Sequence, residues 1–219
     1  VAAIAGTSAG SIIATLYAMG YSPYYIYLLF KRYARDIINI RSKPIINGIT
    51  NFIRNNKIGI AGLSDGNEFE KMYDELARKK GFRLIGDIKM PLLVSAVDIG
   101  ESKEYIFTNC ASRKNIKDNY ITEIGIGRAV RASSSFPAIF CHIFMDGGVL
   151  NNLPTEELKK VYTGKIISVN FESDPVYNDY DIMNIIMKTL DIMGNKLSIN
   201  SLKKSDFVLT VPTDGTGLI

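Results

Sequence analysis

The stretch AAIAGTSAGSIIATLYAMG, residues 2–20, carries an apolar run into Gly6-Thr7-Ser8-Ala9-Gly10 and a helix-like run out of it. Residues 1–5 read as a buried strand, and Ser11 to Met19 as a helix stopped at Gly20. A serine between two glycines at such a junction has the pattern of a nucleophile elbow. The chain reverses sharply there, and glycine at 6 and 10 leaves room for the turn. The Ser8 oxygen would then stand above the sheet edge. The N–H of Ala9 and the first helical turn would point towards it and stabilise an oxyanion. The competing reading is a glycine-rich turn that cradles a phosphate, but no G-K-[ST] follows to make a P-loop.

Outward from this junction the chain alternates strands and helices. SPYYIYLLFKRYARDIINI (22–40) reads as a helix with Ser22 as N-cap and Pro23 in its first turn. Residues 41–63 read as irregular. Asp65 with Glu68 fits a capping box, and Phe69, Met72, Tyr73 and Leu76 then fall at helical spacing. PLLVSAVDI (91–99) has the pattern of a central strand, with KEYIFTN (103–109) as its neighbour across a glycine turn. EIGIGRAVRASS (123–134) reads as a helix weakened by two glycines, and CHIFMDGG (141–148) as a strand ending in a turn. LPTEELKKVY (153–162) is a short helix, acidic first and basic last, which suits the macrodipole. KIISVNF (165–171) reads as a buried strand, DIMNIIMKTLDIMGNKL (181–197) as a core helix, and DFVLTVP (206–212) as a last strand. This order argues an α/β fold, three layers with a mainly parallel central sheet flanked by helices.

The 219 residues suit one domain, residues 1–219, and 47% hydrophobic residues suffice for a sizeable core. The net charge of +4 is diffuse, without a dense basic block, so nucleic acid is not expected as a partner. The two cysteines, Cys110 and Cys141, form no C-x-x-C pair, and one histidine makes a zinc site unexpected. No metal or cofactor is expected, and the cysteines read as reduced thiols of a cytoplasmic protein. No apolar run reaches the ~20 residues that span a bilayer. The chain starts at Val1 inside an apparent strand and ends in PTDGTGLI, an interrupted loop, so a longer protein is expected at both ends. The Ile-, Lys- and Asn-rich composition points to an AT-rich, bacterial genome.

A serine nucleophile needs a base. An α/β-hydrolase triad places a histidine late in the chain. The only histidine here is His142, inside an apparent strand. Asp146 is the better candidate. It closes the strand and opens Gly147-Gly148, so its carboxylate can approach another loop at that end of the sheet. Asp98, at the end of PLLVSAVD, is a rival strand-end carboxylate without a following glycine pair. An elbow serine, no usable histidine and a strand-end Asp-Gly-Gly fit a Ser–Asp dyad better than a triad.

These residues resemble the patatin-like phospholipase family. GTSAG (6–10) matches its G-x-S-x-G motif, and DGG (146–148) its D-G-G/A motif. RASSSFPAIF (131–140) and DGGVLNNLP (146–154) look like the family's blocks. The resemblance implies a lipid acyl hydrolase of phospholipase A or lysophospholipase type. Ser8 would be its nucleophile, Asp146 its proton acceptor, and an acyl-serine its intermediate. It also implies an upstream glycine-rich loop that completes the oxyanion hole, placed before the first residue of this chain. The alternatives are a Ser–His acyltransferase or thioesterase using His142, and a non-catalytic lipid-binding domain. The expected partner is a lipid or membrane surface. Tyr24, Tyr25, Ile26, Tyr27, Leu28, Leu29 and Phe30 could lie at such an interface, or pack as core.

Overall fold

The unbroken apolar run after Pro91 becomes the axis of the molecule. A computed structural model of the chain describes residues 1–31, 67–110, 118–135, 144–172 and 182–212. Strand β2 (Leu92–Asp98) is buried along its whole length. One edge carries β3 (Lys103–Thr108), antiparallel, with β4 (Tyr120–Ile121) parallel beyond it. The other edge is shared by two short strands. β1 (Ile4–Thr7) runs parallel to the first half of β2, pairing Ile4 with Leu92 and Thr7 with Ser95. β5 (Phe144–Asp146) runs antiparallel to the second half, pairing Phe144 with Asp98 and Asp146 with Ala96. β6 (Ile167–Glu172) and β7 (Phe207–Pro212) form a separate parallel pair. Among the described residues three of the five strand pairings are parallel.

Alternation along β2 and β3 divides the sheet into two faces. Leu92, Val94, Ala96 and Phe107 face a core shared with α1 (Ala9–Ala18), α2 (Asn67–Lys79) and α3 (Ile126–Ser133). Tyr73, Leu16, Ile85 and Val130 are fully enclosed there. Leu93, Ile106 and Cys110 face the other way, against Val161 of α5 (Thr155–Val161). The fold is therefore an α/β sandwich of three layers. Tyr73, Leu76, Phe69 and Met72 all lie in or against the first core, as their spacing predicts.

Three expectations are corrected. The first strand spans residues 4–7, not 1–5, and so runs to the residue before Ser8. KIISVNF is a strand but not a buried one: Ile167 is 68% exposed, and Val169 and Phe171 are also exposed. β6 turns its small hydroxyl inward instead, where Ser168 lies 2.6 Å from the Ser205 hydroxyl and 3.4 Å from that of Thr155. α6 (Ile182–Lys203) is a helix, but its described second half is not a core one, since Ile192, Met193, Leu197 and Ile199 are exposed. It docks through Gly194 and Ser198, one turn apart. The Ser198 hydroxyl donates to the Gly194 carbonyl at 2.9 Å and accepts the Asn152 amide at 3.0 Å.

Ser22 caps the next helical segment, residues 23–31, accepting the Tyr25 N–H at 3.2 Å. Ile26 is buried, and Leu29 and Phe30 pack against the core. Tyr24, Tyr25, Tyr27 and Leu28 are exposed, so only part of the stretch packs as core. Residues 41–63, Asp65, Cys141 and His142 lie outside the described residues. Among the described residues no helix is long and apolar enough to cross a membrane, and no cluster suits a metal ion.

Candidate active site

Ser8 follows β1 directly and stands at the entry to α1. Its backbone, at φ 53° and ψ −128°, lies in a region that L-residues rarely adopt. Gly6 is what permits the turn: a side chain there would run into the backbone of Gly10 and Ser11. Gly10 departs from expectation. A side chain on it would meet open space, so this position supplies a backbone surface for Gly6, not a gap of its own.

A serine before a helix usually bonds back to the first-turn N–H groups. Ser8 makes no such bond, and the first turn of α1 has no acidic residue. The Ser8 carbonyl instead accepts both the N–H and the hydroxyl of Ser11, at 2.9 and 2.6 Å. Among the described residues no acceptor takes the Ala9 N–H, and Ala9 is exposed. An electropositive helix end is thus open beside a half-buried hydroxyl.

Asp146 reaches the same place from the opposite direction. Thr7 pairs with Ser95 and Asp146 with Ala96, adjacent rungs on one edge of β2. β1 and β5 therefore meet end to end, and the two loops that follow them are neighbours. Asp146 is 4% exposed. Its N–H donates to the Ser135 carbonyl at 2.8 Å, and its carboxylate accepts the Gly148 N–H at 2.8 Å. Burial pushes the carboxyl above the usual carboxylate range, while hydrogen bonding from the Ser8 side chain and the Gly148 N–H pulls it back in part. The glycines that follow are close-approach positions. A side chain at Gly147 would run into the Ser95 carbonyl, and one at Gly148 would crowd the Asp146 carboxylate.

The structure thus brings together Ser8, Ala9 and Asp146. Asp98 does not join them. Its carboxylate accepts the Glu101 N–H at 3.0 Å and closes the turn between β2 and β3. Two residues escape sequence reasoning. Ser133 accepts the Ser8 N–H at 3.2 Å and donates to the Ser95 carbonyl at 2.6 Å, pinning the elbow to β2. Glu104 accepts from the Ser95 hydroxyl and the Asn151 amide. Ser133 sits inside the quoted RASSS block, which is a positional signal, but nothing local singles out Glu104.

A model of the patatin-like phospholipases matches residues 1–159, most of the chain, and includes both loops of the site. The chain belongs to the patatin-like phospholipase family. It is 26% identical over 210 residues to the Bacillus subtilis (strain 168) protein named uncharacterized protein YqhO, covering 85% of this chain and 69% of that protein. It is 30% identical over 177 residues to the Invertebrate iridescent virus 6 protein named probable lipid hydrolase 463L, covering 73% of this chain. It spans only about half, 54%, of that viral protein.

Proposed function

We propose that this patatin-like domain hydrolyses acyl esters of lipids through a Ser8–Asp146 dyad. The observation that carries the reading is the meeting of a strained serine with a buried carboxyl at the end-to-end junction of two strands. The name of the viral relative points to the same chemistry.

In the first step the Ser8 oxygen attacks the ester carbonyl carbon while its proton passes to Asp146. The carbonyl oxygen gains negative charge in the tetrahedral intermediate, and the Ala9 N–H at the head of α1 donates to it. The intermediate collapses, the bond to the lipid alcohol breaks, and that alcohol leaves with the proton held on Asp146. A water then attacks the acyl-serine, giving its proton to Asp146. The fatty acid leaves and the proton returns to Ser8. A free aspartate at about 3.9 is a poor acceptor for a serine proton. Burial of Asp146 narrows that gap, because a base works best when its pKa lies nearer the working pH.

The test is covalent labelling of the full-length protein by a fluorophosphonate, with ester turnover measured beside it. Ser8→Ala takes no label and turns over no ester. Asp146→Asn loses turnover, while His142→Ala keeps it. Turnover by Asp146→Asn at the wild-type rate overturns the dyad. Loss of activity in His142→Ala, with a pH limb near ~6.5, selects the Ser–His alternative.

A further inference from the structure

Glu104 lies on β3 opposite Val97, on the face of the sheet turned away from α1. It cannot touch an ester held between Ser8 and Asp146. Its carboxylate oxygen nevertheless receives two hydrogen bonds from the frame of that site. The Ser95 hydroxyl donates at 2.7 Å and the Asn151 amide at 2.8 Å, both to Oε1. Ser95 is the β2 residue paired with Thr7, and its carbonyl is the one that holds Ser133 and crowds Gly147. Asn151 ends α4 (Gly148–Asn151), the short helix that follows Asp146. The Asn151 carbonyl accepts the Thr7 hydroxyl at 2.9 Å, and its N–H donates to the Gly147 carbonyl at 2.8 Å.

One oxygen atom therefore clamps the residue before Ser8 and the turn after Asp146 to the same rung of β2. We infer that Glu104 is a positioning residue of the esterase site, fixing the Ser8 and Asp146 loops relative to each other through Asn151 and Ser95. The inference rests on the Ser8–Asp146 reading. Burial pushes the Glu104 carboxyl upwards, and the hydrogen bonds from Ser95 and Asn151 pull it back in part. A glutamine offers the same acceptor oxygen. Glu104 borders an open, polar stretch of surface with Lys103, Asp118 and Asn119, where water can meet an introduced amide.

The test uses the full-length protein, fluorophosphonate labelling of Ser8, and kcat and KM for a soluble short-chain ester. A misplacement near 1 Å costs ~10²-fold in rate. Glu104→Ala is expected to label about 10- to 100-fold more slowly, with kcat falling in step and KM unchanged. Glu104→Gln is expected to recover the rate to within about threefold, because both donors keep their acceptor. Asn151→Ala cuts the clamp from the other side and is expected to match Glu104→Ala without a further loss in the double variant, which keeps the test open if Glu104→Ala fails to fold. Labelling of Glu104→Ala at the wild-type rate overturns the inference alone, as does a Glu104→Gln variant as slow as Glu104→Ala. Wild-type protein that takes no label overturns the Ser8–Asp146 reading and this inference with it.

Discussion

Replacing Ser8 by glycine is expected to stabilise the protein relative to replacing it by alanine. Both substitutions remove the hydroxyl, so their difference isolates the backbone. At φ 53° and ψ −128° the residue lies far from the left-handed helical well, whose ψ is near ~+45°. Holding a residue with a Cβ in such a region costs about 1–3 kcal/mol. Glycine escapes that cost but loses about 0.5–1 kcal/mol more backbone entropy on folding. The net advantage of glycine is therefore ~0–2.5 kcal/mol, centred near ~1.2 kcal/mol. For a chain of this size each kcal/mol moves the midpoint by about 2–4 °C, so the glycine variant should melt roughly 2–5 °C higher, and at most about 10 °C higher. Thermal melts of the two inactive variants, run side by side, measure the gap. An alanine variant melting at or above the glycine variant would refute the claim that the elbow stores strain.

Three further outcomes follow from the same geometry. Asp146 has its folded pKa raised, so the folded state holds its proton more tightly than the unfolded chain; stability is expected to fall as pH rises from about 3.9 to the folded value, then level off. Asp146→Asn should flatten that slope in urea midpoints and exceed wild-type stability at neutral pH, and the acid limb of kcat/KM should lie above the ordinary aspartate range. Ser133→Ala leaves the Ser8 N–H and the buried Ser95 carbonyl without their partner; a loss of about 1–3 kcal/mol in chemical denaturation, with slower labelling at Ser8, is expected. Gly147→Ala drives a methyl into the Ser95 carbonyl and should cost ~1–3 kcal/mol with loss of turnover, whereas Gly10→Ala meets open space and should keep its activity.

What the chain reveals of itself depends on how local the signal is. The LLVSAVD run is legible because a strand covered on both faces must be apolar at every position. The elbow is legible because Gly6 and Ser8 act within five residues of each other. The direction of β5 is not legible, since CHIFMD reads the same whichever way it pairs. The second half of α6 misleads because its apolar residues are dense, yet its contact surface is the Gly194 and Ser198 stripe, where small size permits close approach. β6 misleads for a related reason, turning Ser168 inward and three large apolar side chains outward. Glu104 is invisible for a different reason, and Ser133 shows only as part of the RASSS block. Their partners lie elsewhere in the chain, on β2, at the elbow and in α4, and no spacing rule links positions 8 and 133, which are 125 apart.

The end-to-end junction of β1 and β5 on β2 also sets when the site comes into being. No hairpin joins β1 to β5, so the site closes only after two distant segments have docked on a common strand. Contacts spanning such long stretches carry the largest loop-closure cost and slow the search for the native topology. Reactivity of the elbow hydroxyl would then report that both short strands are in place, and a pulse of fluorophosphonate during refolding would time their docking on β2.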